Sequence, residues 1–297
     1  MQAIIDTDPG IDDAIAILYA LRQPGLRIAA LTTVAGNIGL SVTTANAGRI
    51  AAAAGVDTPV HPGAAAPLGR APRPETGIHG NDGLGGVVFP DAARAPSGTG
   101  AVAAMAELLM AAPPGALDLF CLAPLTNIAL LLDQAPQAAR RIGRVIAMGG
   151  AVDEPGNVGP RAEFNIAHDP DAAARVIAAG LALTLIPLDA TRQLRADAAY
   201  LARLRATGAA PAIVSADLID AYFVQTAHQA RGAQSRPLHD PCVPLLARHP
   251  EFFRIETRNL AVDLASGALI PGPHPVRVAM ALDADALRAR LLEGLSC

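Results

Sequence analysis

Residues 3–23 read AIIDTDPGIDDAIAILYALRQ and contain the unit that decides the fold. The apolar run at residues 3–5 predicts a short buried strand, which ends where the chain turns acidic. After this acidic loop, Ile15 and Leu18 recur at helical spacing, and Pro24 ends the helix. The stretch therefore predicts a strand, a loop and a helix in that order, which is the repeating unit of an α/β protein.

The same pattern returns along the chain. Helical segments alternate with apolar runs that read as strands buried on both faces; these runs are RIAALTTV (27–34), LDLFCL (117–122), RVIAMGG (144–150) and LALTLIPL (181–188). Ser41 is expected to cap the second helix, Thr99 to begin a later one, and Asp169-Pro170 to supply a cap followed by proline at the first helical position. We therefore predict an α/β fold, with an open, mostly parallel sheet, helices on both faces and one domain over residues 1–297.

Three stretches depart from this pattern. Residues 61–98 are rich in Pro and Gly and include GIHGNDGLGG (77–86), and so long a loop in a compact domain is usually functional or disordered. The pattern from residue 196 to about residue 231 is helical, and the segment after it is more strand-like. We see no linker and no internal repeat.

Composition excludes several function classes. All 23 cationic residues are arginines, so a Schiff-base lysine and a P-loop lysine are both ruled out. The net charge of −4 and the aromatic content of 3% argue against a nucleic-acid partner. The three cysteines form no C-x-x-C pair, and no segment reads as a signal peptide or a membrane span. We expect a cytoplasmic protein without a membrane partner.

The acidic loop is the strongest chemical signal. Asp6, Asp8, Asp12 and Asp13 place four carboxylates within eight residues, just after a strand. In open parallel sheets, ligands bind beyond the carboxyl ends of the strands. Like charges this close repel one another unless a cation neutralises them, and oxygen ligands suit Ca²⁺ or Mg²⁺. Alternatively, Asp12 and Asp13 only favour the positive end of a helix, and Asp6 only supports the ligands.

Polar residues also follow the other strands. They are Asn37, Asn157, Glu163, Asn165 and the pair His239-Asp240. Together they would surround a polyhydroxylated ligand such as a sugar. Taken singly, an asparagine is more often a turn residue, and Asp240-Pro241 can simply begin a helix.

Seven motifs in order carry a family resemblance: DTDPGIDDAIAI, TTVAGN, GIHGNDGL, APLTNIAL, MGG, AEFNIAHDPDAA and PLHDPC. The chain resembles the inosine–uridine-preferring nucleoside hydrolases, which are Ca²⁺-dependent N-ribohydrolases. The resemblance implies the nucleoside hydrolase fold with its Rossmann-like core, a small-molecule nucleoside substrate, Ca²⁺ as cofactor, and a homodimer or homotetramer.

The resemblance also implies a role for each matching residue. The Ca²⁺ ligands would be Asp8, Asp13, Asp240 and the main-chain carbonyl of Leu122. Asp8 would activate the Ca²⁺-bound water, and His239 would be the acid for the leaving base. The ribose would contact Asp12, Asn37, Met148, Asn157, Glu163, Phe164, Asn165 and Asp240. His79 would lie near the 5′ side or the base, although a loop histidine is more often a solvated surface group.

The base-binding helix departs from the family. Purine-preferring members carry tyrosines upstream of HDP, and by spacing from His239 these positions hold Phe223 and Ala227. Tyr222, Gln225 or His228 could cover the base instead, or the stretch could be an amphipathic helix with an aromatic core face. Base preference stays open, and we expect residues 75–85 and 222–236 to order over bound ligand.

Two other functions compete with hydrolysis. An aspartate-nucleophile phosphatase also begins with D-x-D after the first strand, but it needs a hydroxyl residue where this chain has Gly10. A Ca²⁺-bearing protein that binds nucleosides or ribose without cleaving them has no evident need for His239. Phosphate release from an aryl phosphate would identify the first, and tight binding without product the second.

Overall fold

The computed structural model describes residues 1–227 and 234–297, and a central β-sheet organises them. Its strands are β1 Gln2–Thr7, β2 Arg27–Thr33, β3 Val60–Pro62, β4 Leu117–Cys121, β5 Ile142–Met148, β6 Leu183–Ile186, β9 Phe253–Val262, β10 Leu269–Pro271 and β11 His274–Leu282. Two further strands, β7 Arg195–Asp197 and β8 Ser235–Pro237, form a separate antiparallel pair.

Helices connect these strands and cover the sheet. They are α1 Ile11–Leu21, α2 Leu40–Ala53, α3 Thr76–His79, α4 Ala101–Ala111, α5 Thr126–Gln134, α6 Pro136–Ala139, α7 Phe164–His168, α8 Pro170–Ala178, α9 Leu188–Thr191, α10 Ala198–Ala206, α11 Ala210–Gln225, α12 Cys242–Arg248 and α13 Ala284–Ser296. Within the described ranges, none of these helices combines the length and apolar character that crossing a bilayer requires.

The strand order of the main sheet is β10-β9-β11-β6-β5-β4-β1-β2-β3. The pairs from β11 to β3 are parallel, and the two pairs at one edge, β11–β9 and β9–β10, are antiparallel, so that β9 runs opposite to the other strands. This confirms the predicted mostly parallel sheet. Because β1 lies inside the sheet between β4 and β2, its carboxyl end meets those of its neighbours along a common edge.

Side chains of the central strands alternate between two hydrophobic cores, one on each face of the sheet. In β1, Ala3 and Ile5 join one core while Ile4 joins the other. In β4, Phe120 joins the first core and Leu119 the second. Helices therefore pack on both faces, as predicted, and the strands are fixed firmly enough to position the residues that follow them.

Helix starts were predicted less well than strands. Asp169 caps α8 with its side chain, which accepts the backbone N–H of Ala172 at 3.1 Å, so this predicted cap is confirmed. The predicted Ser41 cap is wrong, because α2 begins at Leu40 and its N-cap is Gly39, two residues before Ser41. Likewise α4 begins at Ala101 rather than at Thr99. Glycine is accepted at an N-cap although it has no side chain to bond the helix. Because it is not polar, the sequence carries no capping signal at these two positions.

The predicted long loop contains two short regular elements. Strand β3, where the loop begins, pairs with β2, and the four-residue helix α3 within the loop carries His79. His79 is buried, and its Nδ1 accepts the backbone N–H of Ile11, the first residue of α1, at 3.1 Å. The loop thereby supplies the cap that Gly10, the N-cap residue of α1, cannot provide.

We expect Gly10→Ala to lower the free energy of unfolding by about 1–3 kcal/mol, because the added methyl overpacks a filled site. A Cβ at Gly10 would lie 2.6 Å from Nδ1 of His79 and 2.7 Å from Nδ2 of Asn37. The matched control is Gly39→Ala, since Gly39 is also an extended N-cap but has nothing within 4 Å of its Cβ position. Urea unfolding of both variants measures the difference, and equal losses would contradict the explanation.

Candidate active site

A cavity of about 620 Å³ opens at the carboxyl ends of the parallel strands. Most of the residues predicted for the site line it: Asp12, Asn37, His79, Leu122, Met148, Asn157, Glu163, Phe164, Asn165, His239 and Asp240. Asp8 and Asp13 do not line it and are fully buried. The structure thus brings together residues from six separate sequence motifs in one concave site, with two carboxylates beneath its surface.

Carboxylates are concentrated at the bottom of this cavity. Single oxygens of Asp12, Asp13 and Asp240 all lie within 4.8 Å of one another. The predicted metal ligands are Asp8, Asp13, Asp240 and the carbonyl of Leu122. The geometry adds Asp12 to the carboxylate group, and Asp8 is not part of it. These oxygens are the ligand type that a hard divalent cation prefers.

Backbone and side-chain donors hold the two buried carboxylates in place. Asp13 Oδ1 accepts the hydroxyl of Thr7 at 2.6 Å, and Oδ2 accepts the backbone N–H of Gly10 at 3.0 Å. The Oδ2 atom of Asp8 accepts the backbone N–H of Asn37 at 2.6 Å. Only a glycine fits before Asn37, since a Cβ at Gly36 would lie 2.0 Å from Oδ2 of Asp8.

Burial and mutual repulsion make these groups hard to ionise without a counter-charge. Burial, and then the charge of Asp13, raise the pKa of Asp8 well above its usual value. Burial, followed by the charges of Asp12, Asp13 and Asp8, does the same to the pKa of Asp240. The pKa of Asp13 is also raised, first by burial and then by Asp12. A bound cation would reverse these shifts, because it favours the charged carboxylates.

The unpaired atoms of the site also fit a divalent cation. Oδ1 of Asp8 is buried and has no hydrogen-bond partner within residues 1–227 and 234–297. An unsatisfied buried carboxylate oxygen is costly unless a cation or a proton compensates it. The carbonyl oxygen of Leu122, the predicted main-chain ligand, faces the cavity residue Asn165, whose Nδ2 donates to it at 2.8 Å. Asp8, Asp13, Asp240 and Leu122 could therefore hold the metal.

Asp6 has a supporting position. Its Oδ1 accepts the hydroxyl of Thr32 at 2.6 Å and Nδ2 of Asn127 at 2.8 Å, and it does not line the cavity. Burial raises the pKa of Asp6 to about 6. Asp6 ties β1 to β2 and α5, which agrees with the alternative that it only supports the ligands.

One wall of the cavity is built from a turn and the start of α7. Glu163 is the N-cap of this helix and accepts the backbone N–H of Asn165 at 3.0 Å and that of Gly150 at 2.8 Å. Oδ1 of Asn157 accepts the backbone N–H of Phe164 at 3.0 Å. These bonds fix both side chains through the backbone, so their remaining polar atoms hold defined positions at the cavity.

His239 lies at the other end of the group, next to Asp240. Its Nδ1 is 2.7 Å from the hydroxyl of Thr191. Burial and then the positive charges of Arg192 and Arg195 lower the pKa of His239 to about 3. In this structure the imidazole is neutral near pH 7, and His79, whose pKa burial lowers to about 4, is neutral as well.

Of the residues considered for the base contact near the end of α11, the alternative Tyr222 lines the cavity and the positions chosen by spacing do not. Tyr222 and Thr226 line the cavity, whereas Phe223 and Ala227 do not. Residues four apart share a helix face, and residues one position later point about 100° away, so counting back from His239 selected the wrong face. Phe223 instead packs against Arg236, whose guanidinium carbon lies 4.6 Å from the centre of the Phe223 ring. Gln225 does not line the cavity, and His228 lies outside the described residues.

Three residues near the base region escaped the sequence analysis. Thr191 ends the short helix α9, which follows β6; Arg192 comes directly after it, and Arg195 begins β7. Arg192 bonds the carbonyl of Gly156 at 3.0 Å and Glu154 at 3.2 Å, whereas Arg195 bonds the Oγ and carbonyl of Ser235, each at 2.7 Å. The rule that found the other site residues, polar groups just after a strand, would have found these too if applied to IPLDATRQLR.

Known proteins match this chain over nearly its whole length. The profile of the family described as inosine-uridine preferring nucleoside hydrolase matches residues 3–289. Among relatives, the non-specific ribonucleoside hydrolase RihC of Escherichia coli O1:K1 is 38% identical, covering 96% of this chain and 94% of its own. An uncharacterized protein of Schizosaccharomyces pombe, C1683.06c, is also 38% identical, covering 90% of this chain and 86% of its own.

Solved structures agree with the sequence matches. The purine-preferring ribonucleoside hydrolase from Gardnerella vaginalis superposes with a TM-score of 0.94 at 28% identity, covering 100% of this chain and 98% of its own. A plant nucleoside hydrolase, PpNRh1, superposes with a TM-score of 0.93 at 31% identity, covering 100% and 99%. The chain belongs to the inosine-uridine preferring nucleoside hydrolase family and is a nucleoside hydrolase.

Proposed function

We propose that the protein hydrolyses the N-glycosidic bond of ribonucleosides to free base and ribose, with Ca²⁺ in the acidic group, Asp8 as proton acceptor and His239 facing the leaving base. The observation that carries this proposal is the charge distribution of the cavity. Its floor is acidic, with Asp12 and Asp240 lining it and Asp13 beneath them, whereas Arg192 and Arg195 lie at the end that holds His239. This polarity suits a bond that breaks with positive charge on the sugar and negative charge on the base.

The acidic floor supports the first half of the reaction. Ca²⁺ bound there would lower the pKa of a water ligand and orient it toward the sugar. Oδ1 of Asp8 is a buried carboxylate oxygen with no hydrogen-bond partner among the described residues, and it lies beside the acidic group, so it is prepared to accept a proton from the attacking water. Oδ2 of the same carboxylate is held by the backbone N–H of Asn37, which keeps the group in one orientation.

The cavity walls support a ribose rather than an apolar ligand. Asp12, Asn37, Asn165 and Asp240 present carboxylate and amide groups where hydroxyls would bind. Breaking the N-glycosidic bond builds oxocarbenium character on the sugar, and fixed negative groups stabilise it more than they stabilise the neutral ground state. Asn157 and Glu163 lie on the wall formed by the start of α7 and would reach the 5′-hydroxyl, with Phe164 next to them and Met148 against the ring.

The opposite end of the cavity supports departure of the base. His239 is the group at this end that can pass a proton, and its pKa rises when negative charge develops on the base beside it. Arg192 and Arg195 add positive charge that does not depend on protonation, since arginine stays charged at every working pH. Tyr222 and Thr226 add hydroxyls on the facing helix. Base preference, the homodimer or homotetramer, and the ordering of residues 75–85 and 222–236 stay predictions.

The first test is release of free base and reducing sugar from uridine and inosine, before and after a chelator. We expect hydrolysis to stop after chelation and to return with Ca²⁺. Ca²⁺ should also raise the melting temperature of the chelated protein, because it relieves repulsion among buried carboxylates. Turnover that survives chelation would contradict the metal, and no turnover of either nucleoside with Ca²⁺ would contradict the reaction. The ratio of the two rates measures base preference.

Asp8→Asn tests whether the carboxylate of Asp8 is the proton acceptor, as distinct from an effect of removing any one negative charge. We expect kcat on uridine to fall about 100–10,000-fold, the range typical for loss of a general base. The matched control is Asp91→Asn, since Asp91 is an exposed carboxylate far from the acidic loop in sequence and absent from the cavity lining. A Ca²⁺-dependent melting shift that persists in Asp8→Asn would assign the loss to proton transfer rather than to metal binding.

His239→Ala tests the role at the base. We expect nucleoside hydrolysis to slow about 100–10,000-fold, while p-nitrophenyl riboside, whose leaving group needs no proton, keeps most of its rate. Steady-state kcat on both substrates measures the split. An equal loss on the two substrates would show that His239 does not assist the leaving group.

A further inference from the structure

The imidazole of His239 has one fixed hydrogen-bond partner. Its Nδ1 lies 2.7 Å from Oγ1 of Thr191, a residue with no exposed surface. Its Nε2 makes no hydrogen bond to the described part of the chain and is not sealed from the cavity that His239 lines. The Thr191 contact therefore decides which edge of the ring faces the base.

Hydrogen bonds from three residues of α9 fix the turn that carries Thr191. Its backbone N–H donates to the carbonyl of Pro187 at 3.1 Å, within the single turn of α9. In the same turn, Asp189 accepts the backbone N–H groups of residues 152, 153 and 154 at 2.9, 2.7 and 3.0 Å. The backbone N–H of Leu188 donates to the carbonyl of Gly150 at 2.8 Å. The hydroxyl of Thr191 therefore contacts His239 from a hydrogen-bonded turn whose backbone is fixed.

Counting hydrogens assigns the direction of this bond. The hydroxyl of Thr191 carries one proton, and among the described residues its only hydrogen-bond partner is Nδ1 of His239. A buried hydroxyl that donates to nothing would cost free energy, so the proton points at Nδ1. A neutral imidazole that accepts at Nδ1 carries its own hydrogen at Nε2, the nitrogen on the cavity side. When the ring is protonated, the hydroxyl can rotate and accept from Nδ1–H, so one contact serves both states.

We propose that Thr191 is a positioning residue for release of the base: its hydroxyl fixes the ring plane of His239 and directs Nε2–H at the leaving group. The proposal rests on the proposed function, because it assumes that a base occupies the end of the cavity next to His239. Arg192, one residue along, lines the same end of the cavity, so the turn of α9 carries both the orienting group and a positive charge.

Thr191→Val tests the proposal, because valine keeps the shape of threonine and removes only the hydroxyl. We expect kcat on uridine to fall about 10–100-fold, since a misdirected group close to the reacting atoms costs up to about 10²-fold. The rate on p-nitrophenyl riboside should change less than about threefold, because that leaving group needs no help. Thr191→Ser restores the hydroxyl and should recover most of the uridine rate. A uridine rate that is unchanged in Thr191→Val, or an equal loss on both substrates, would overturn the proposal.

A double-mutant cycle separates positioning from general damage. With His239→Ala already present, Thr191→Val should cause no further loss on uridine, because the group that it orients is gone. Multiplied losses would overturn the proposal. Should Thr191→Val not fold, ¹⁵N chemical shifts of the histidines in the wild-type protein, assigned with His239→Ala, still decide: protonation of neutral His239 at Nδ1 would contradict it. Wild-type protein that hydrolyses no nucleoside would contradict the proposed function instead.

Discussion

The site depends on one electrostatic constraint, the packing of carboxylates at the carboxyl end of β1. Burial and mutual repulsion both raise the pKa values of Asp8, Asp13 and Asp240. The fold opposes this with donors that come from the backbone, such as the N–H groups of Gly10 and Asn37. Backbone donors cost no rotamer entropy, but they must be aimed, and aiming them requires glycine at positions 10 and 36. A side chain at position 36 would overlap the carboxylate of Asp8, and one at position 10 would collide with His79 and Asn37. The acidic cluster therefore determines the loops around it.

The same constraint explains why His79 is not a surface residue. The N-terminus of α1 points at the acidic group, and its first N–H needs an acceptor that Gly10 cannot offer. His79 reaches across from a distant loop to accept that N–H, and in doing so lies on the cavity. A neutral imidazole performs this role better than a further carboxylate would, since it caps the helix without adding to the repulsion.

The sequence could predict the parts that follow from apolar runs and from strand ends. Buried strands, the parallel sheet and the polar residues after β1, β2 and β5 all follow from patterns that act over a few residues. The facing of α11 stayed open between Phe223 and Tyr222, because a one-residue difference in counting exchanges the two and no local signal decides between them. The environment of His239 could not be predicted, because its pKa depends on burial and on Arg192 and Arg195, residues more than 40 positions away in the chain. Local patterns therefore predict the polar residues at strand ends, whereas contacts between distant residues decide the protonation state of those side chains.

The half of the cavity proposed to hold the sugar and the half proposed to face the base are built in different ways. In the sugar half, side chains accept hydrogen bonds from the backbone. Glu163 caps α7, Asn157 accepts the N–H of Phe164, and Asp8 accepts that of Asn37. Changing any of these residues disturbs the fold as well as the ligand. The base half comes from α9, α11 and the β7–β8 pair, which lies outside the main sheet, and its side chains contact one another more than they cap helices. Substitutions there change the leaving-group environment at little cost to the sheet. A fold built in this way can keep one sugar chemistry and exchange the base that it accepts.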